Sequence, residues 1–267
     1  MEKNTGEKMK ALISLFLIFA FSMVSKSEII TQDVEYSDGG TKFLGYLAYD
    51  NSSKEMRPGI LIVHQWKGLT DYEKMRARQL AELGYVVFAL DIYGKDIKPK
   101  TPEETRKEVG KYYGDRNLFR ERLKAGLNEL KQQKFVNTNY LAVIGYCFGG
   151  SGALELARSG ADIKGAVSFH GGLTSPTPLD ANNIKCKISV QHGAIDPNVP
   201  DEDVAAFKKE MEDAKVDYVL TEYSGAVHSF TMESAGNDPS KGSAYNERAD
   251  KRSWEAMKDF FAEIFNK

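Results

Sequence analysis

A chain of 267 residues that is 42% hydrophobic and 28% charged has enough apolar material for one substantial core, and no repeat or low-complexity tract divides it. A formal charge of −2 offers no basic field for a nucleic-acid partner. The two cysteines and four histidines show no metal-ligand spacing, so no metal or other cofactor is expected.

The amino terminus reads as an export signal. Lys3, Lys8 and Lys10 precede an apolar run over residues 11–24, with the small residues Ser22, Ser25 and Ser27 around its end. The run is about 14 residues long, short of the ~20 that span a bilayer. Cleavage is expected near residues 25–27, and initiation at Met9 would give a more compact leader. Residues 28–267 are then a single domain in the bacterial periplasm or outside the cell, with no stable membrane association; an uncleaved leader would instead anchor it.

Behind the leader, residues 29–36 and 42–49 flank Asp38-Gly39-Gly40, a hairpin signal. Pro58-Gly59 introduces the apolar run 60–63, typical of a strand buried on both faces. The period then changes: Tyr72, Met75, Leu80 and Leu83 lie among charges at helical spacing, ending at Gly84. A strand-like stretch at 85–90 is followed by helical stretches over 102–113 and 117–133 and by a strand at 140–144. Strands at 163–169, 187–192 and 217–223 alternate with helices at 151–158 and 203–214, and an amphipathic helix over about 246–265 closes the chain. This order predicts an α/β fold, a mostly parallel central sheet with helices on both faces and an N-terminal β-hairpin. Ligands of such sheets bind beyond the carboxyl ends of the strands.

One of those ends carries Gly145-Tyr146-Cys147-Phe148-Gly149, between a strand and a helical stretch. That is the setting of a nucleophile elbow with cysteine in the serine position. Glycines permit the close backbone approach that a sharp strand-to-helix turn requires. The helix N-terminus favours a thiolate at Cys147, and the amide of Phe148 is placed to donate to a developing oxyanion. The five residues alone describe a buried structural cysteine equally well.

Chain order supplies the missing context, because the acid and then the histidine follow the nucleophile in this fold. Asp196, in Gly193-Ala194-Ile195-Asp196-Pro197 after a strand, suits the acid, although an aspartate before proline also starts turns. Of His64, His170, His192 and His228, only His228 follows it. His64 and His192 end strand patterns and read as hydrogen-bonded structure. His170 ends another strand and is expected to line the substrate pocket without doing chemistry. Asp91 precedes Cys147, and the chain order argues against it.

Five blocks in register now resemble a known family: Val63-His64-Gln65-Trp66-Lys67-Gly68-Leu69, Asp91-Ile92-Tyr93-Gly94, the elbow through Gly150, the Asp196 block, and Ala226-Val227-His228-Ser229-Phe230. They are similar, over roughly residues 30–266, to the dienelactone hydrolase family of α/β-hydrolases. The resemblance implies an α/β-hydrolase fold with Cys147 as nucleophile, Asp196 as orienting acid and His228 as base. It also implies an oxyanion hole from the amides of Trp66 and Phe148, and a cleft wall supplied by the helical stretch between Gly94 and Gln133.

Two positions depart from the family. Its founding members carry, where Gln65 stands, a glutamate that hydrogen-bonds the resting thiol, and shortly after His-Ser-Phe an arginine that holds the substrate carboxylate. Here the latter position is Met232, and Arg106 is what the resemblance offers as a second carboxylate-binding arginine. The implied reaction is hydrolysis of carboxylic esters or lactones through a thioester on Cys147. The implied substrate is a neutral or weakly charged small molecule rather than the dienelactone carboxylate itself. A competing reading is an exported, non-hydrolytic binding protein with structural cysteines, since an oxidising compartment favours disulfides. Against it, Cys186 enters its strand from the end opposite Cys147, beyond disulfide reach.

Overall fold

Strands that are apolar on both faces require cover on both sides, and the chain provides it with a three-layer α/β/α arrangement. The computed structural model describes residues 28–266, so the expected leader lies outside the described residues. The strands are β1 (Ile29–Asp38), β2 (Thr41–Asp50), β3 (Arg57–Val63), β4 (Val86–Ala89), β5 (Val136–Tyr146), β6 (Gly165–Phe169), β7 (Lys187–Gly193) and β8 (Tyr218–Tyr223). They form one sheet in the order β1-β2-β4-β3-β5-β6-β7-β8. The pairs β1/β2 and β2/β4 are antiparallel and all other neighbours are parallel. At the hairpin Asp38 faces Thr41 across Gly39 and Gly40, whose φ angles of 54° and 80° are what a tight two-residue reversal needs.

The helices are α1 (Asp71–Glu82), α2 (Pro102–Gly114), α3 (Arg116–Gln132), α4 (Phe148–Arg158), α5 (Asp201–Asp213) and α6 (Glu247–Ile264). Alternation along β3 divides the core in two. Leu61 and Val63 join Phe119, Leu123, Leu156 and Phe207 from α3, α4 and α5, while Ile60 and Ile62 join Leu80 of α1 and Phe261 of α6. Each such side chain, fully buried, contributes about 1.5–3 kcal/mol.

Three details differ from the sequence reading. Strand β5 begins at Val136, ahead of the apolar run; its register against β3 jumps between Pro58 and Gly59, where proline has no N–H for the ladder. Helix α4 begins at Phe148 rather than 151, its first turn containing the glycines whose weak propensity hid it. The stretch between Gly94 and Gln133 does supply a cleft wall, but through Val109 and Tyr113 of α2 alone. Helix α2 flanks the cleft, whereas α3 sends Phe119, Leu123 and Leu130 into the core.

Behind the site, the fully buried Arg158 ties three elements together. It donates to both carboxylate oxygens of Glu210 on α5 at 2.7 Å, to Glu155 at 3.2 Å and to the carbonyl of Leu173 at 2.8 Å, the last in the loop after β6. Glu155 also receives Arg120, whereas Glu210 has Arg158 as its one cationic partner among the described residues. Arg158→Met would therefore leave a buried carboxylate unpaired, a loss of about 3–5 kcal/mol. Urea unfolding of the two proteins checks this, and coincident midpoints would contradict it.

Candidate active site

At the end of β5 the chain reverses into α4 on a single residue, Cys147, at φ 55° and ψ −118°. The reversal leaves no room for side chains on its flanks: a Cβ on Gly145 would stand 1.8 Å from the carbonyl oxygen of Gly149, and one on Gly149 2.1 Å from that of Val63. Such a backbone costs about 1–3 kcal/mol and must be held from outside. The Cys147 amide is held twice, by the carbonyl of Phe169 at 3.0 Å and by Nδ1 of His170 at 3.1 Å.

Three side chains expected to act together meet at hydrogen-bond distance. His228 Nε2 lies 3.1 Å from Cys147 Sγ, and His228 Nδ1 lies 2.8 Å from Asp196 Oδ2. Asp196 also serves the turn, its Oδ1 accepting from the amide of Asn198 at 2.9 Å, so the structural and chemical readings of this residue coexist. Burial opposes a charge on His228, but hydrogen bonds to Asp196 and Cys147 outweigh it and raise the imidazole to about 10. When the ring carries its second proton, both N–H groups are placed to donate, one to each partner.

The loop after β3 is clamped around Trp66. Glu73, buried in the first turn of α1, accepts from the Gln65 amide at 3.1 Å and from the Thr70 amide and hydroxyl at 2.8 and 2.6 Å. Tyr93 donates to the Trp66 carbonyl at 2.6 Å, and His64 bridges the Gln65 carbonyl and the Ile92 amide. The amides of Trp66 and Phe148 donate to no acceptor among the described residues. Glu73 and Tyr93 were not singled out from the sequence, although Thr70-Asp71-Tyr72-Glu73 carries a capping-box signature.

These groups open on a cleft of about 450 Å³. Its apolar lining comes from Trp66, Val109, Phe148 and Val199, and its polar lining from Tyr113, Asn198, Ser229 and Ser243. No lining residue is an aspartate, glutamate, lysine or arginine. Val109, Tyr113 and Asn198 escaped the sequence reading because nothing in α2 or a polar turn marks which residues face a cleft.

Several expected positions fall elsewhere. His170 does not line the pocket; it is fully buried beneath it, because both ring nitrogens are engaged by Cys147 and Thr231. Gln65 is buried too, and its amide nitrogen meets Met232 Sδ at 3.3 Å rather than the thiol. Arg106 is exposed and outside the lining, one turn before Val109 on the α2 face that carries Val109 and Tyr113. Asp91 is spent on structure, accepting from the amides of Leu44, Tyr93 and Gly94. Both cysteines are free, and burial pushes the Cys186 thiol up to about 12.

The same architecture and sequence recur in known proteins. A solved structure of a dienelactone hydrolase-like promiscuous phosphotriesterase from metagenomic libraries is 39% identical, with a TM-score of 0.84, covering 88% of this chain and 98% of its own. Protein usf of Aquifex pyrophilus is 30% identical over 76% of this chain and 87% of its own length. A Bradyrhizobium protein named probable 2-oxo-3-(5-oxofuran-2-ylidene)propanoate lactonase is 27% identical over 76% of this chain and 86% of its own. The model of the dienelactone hydrolase family matches residues 43–265, from β2 through the last helix, and to that family of hydrolases this chain belongs.

Proposed function

We propose that this protein hydrolyses neutral carboxylic esters or lactones through a thioester on Cys147. The observation that carries the substrate class is the uncharged cleft, together with the contact between Gln65 and Met232, the two positions where the family's charged pair is absent. The Cys147 thiolate attacks the carbonyl carbon, and the resulting oxyanion is received by the amides of Trp66 and Phe148. His228 gives its proton to the leaving alkoxide as the C–O bond breaks. It then takes a proton from water, whose oxygen attacks the thioester and expels the thiolate, while Asp196 keeps Nδ1–H pointed away from the sulfur. An alkoxide leaves the tetrahedral intermediate more readily than an amine, which favours esters and lactones over peptides. The leader-like residues 1–27 support export of this activity to the periplasm or beyond the cell.

Cys147→Ala is expected to lose hydrolysis by about 10³-fold or more at unchanged melting temperature, and His228→Ala to lose a comparable factor. Asp196→Asn removes a hydrogen bond and a charge that raise His228, so the protonated ring is lost at lower pH. The alkaline limb of the kcat/KM profile should move down, a shift read between about pH 6 and 11. An unmoved limb at wild-type rate would remove Asp196 from the mechanism.

For the substrate class, the wild type should favour a neutral ester over its carboxylate-bearing analogue by about tenfold in kcat/KM. The double variant Gln65→Glu with Met232→Arg should narrow or invert that ratio. A wild type that prefers the carboxylate would overturn the neutral-substrate reading. For the compartment, mass spectrometry of the native protein should find a mature start near Lys26 or Glu28, and an intact Met1 or Met9 would contradict export by cleavage.

A further inference from the structure

His170 is fully buried and is not itself a lining residue of the cleft, yet it stands against two residues that are, Cys147 and His228. Its Nδ1 accepts from the Cys147 amide at 3.1 Å, and its ring lies edge-on to that of His228 with centroids 5.3 Å apart and an interplanar angle of 68°. Its backbone is itself at φ 39°, so two left-handed residues face each other at the ends of β5 and β6, beyond the paired Tyr146 and Phe169. Backbone strain of this kind persists only where the surroundings over-determine it.

The hydrogen bonds assign the tautomer. A backbone amide can only donate, so Nδ1 must be bare, and Nε2–H is left to donate to Thr231 Oγ1 at 2.9 Å. Beyond Thr231 the chain of contacts continues to the Tyr72 hydroxyl at 2.7 Å, then to Arg76 Nε at 3.2 Å, and Arg76 is fixed by Asp250 at 2.5 Å. The neighbouring side chains with the largest charge effect on His170 are His228, Arg76 and His192, and each opposes a proton on its ring. Burial first, and then the His228 charge, hold His170 well below the ordinary histidine range.

We infer that His170 is a positioning residue for Cys147: a neutral imidazole wedged between the nucleophile's amide and the Thr231 hydroxyl that holds the elbow in its reactive conformation and floors the ring of His228. The inference rests on Cys147 being the nucleophile. A sulfur displaced by about 1 Å can cost about 10² in rate without changing how substrate binds. The role needs an acceptor at the Nδ1 position. Asparagine supplies one at similar reach and tolerates a positive φ; phenylalanine keeps only the ring.

The test compares wild type, His170→Asn, His170→Phe and Thr231→Val, with kcat and KM for an ester, the iodoacetamide alkylation rate of Cys147 followed by mass, and melting temperature. His170→Phe is expected to lose about 10² in kcat with KM held within about twofold, and to change the alkylation rate by about tenfold. His170→Asn should recover kcat to within about threefold of wild type, and Thr231→Val, which frees Nε2 and leaves the backbone at 170 untouched, should fall between. Equal kcat in the Asn and Phe variants would overturn the role. Should His170→Phe not fold, Thr231→Val decides, and a wild-type kcat and alkylation rate there would overturn it. Hydrolysis surviving in Cys147→Ala would sink the nucleophile reading alone, since the alkylation arm reads the cysteine directly.

Discussion

The close approach of α4 to the end of β3 is the constraint on which the rest of the site depends. It exists because Gly149 has no side chain: a Cβ there would collide with the carbonyls of Val63 and His64. With that collision absent, the first turn of the elbow helix settles against the loop that carries Trp66, and two amides from distant parts of the chain are left without acceptors among the described residues, beside the Cys147 thiol. The strain at Cys147 is offset locally. Phe148, the next residue, stacks on Phe119 at 4.7 Å and packs against Tyr112 and Tyr113, pairs that are worth about 0.5–1.5 kcal/mol each beyond their burial. The aromatic cluster and the elbow are therefore one mechanical unit.

Electrostatics complete what the backbone begins. A charge on a buried imidazole is expensive, yet the His228 ring is flanked by a carboxylate on one nitrogen and a sulfur on the other, and the net effect favours the proton. Around this charged pair the cleft is neutral, so little competes with it for counter-charge. The loop bearing Trp66 is rigid for a different reason: a buried carboxylate, Glu73, satisfies three donors of that loop at once.

Most of the fold was legible because its strands carry a readable pattern: 60–63 is an unbroken apolar run and 187–192 alternates Ile188 and Val190 with polar residues, and they became β3 and β7 nearly as read. The chain order of Cys147, Asp196 and His228 was enough to bring together three residues that the structure holds within 3.1 Å of one another in sequence of contact. What stayed hidden depends on packing between distant segments. Nothing local says that Gln65 will meet Met232, 167 residues away, or that His170 will be driven under the cleft rather than into it. Glycines in the first turn of α4 and asparagines at the start of β5 concealed element ends for the usual propensity reasons.

Cys186 precedes β7, whose first residue Lys187 is level with Gly165 of β6 and Ala142 of β5. Cys147, just past the end of β5, is five residues beyond Ala142 and six beyond the level of Cys186, so the two residues are separated by roughly 20 Å of strand rise. A sulfenic acid formed on Cys147 would then find no resolving thiol in its own chain. Its rescue has to come from a small external thiol entering the cleft, and without one the sulfur proceeds to the irreversible sulfinic and sulfonic stages. The same geometry leaves oxidation of Cys147 to be reversed only by a reductant from outside the chain.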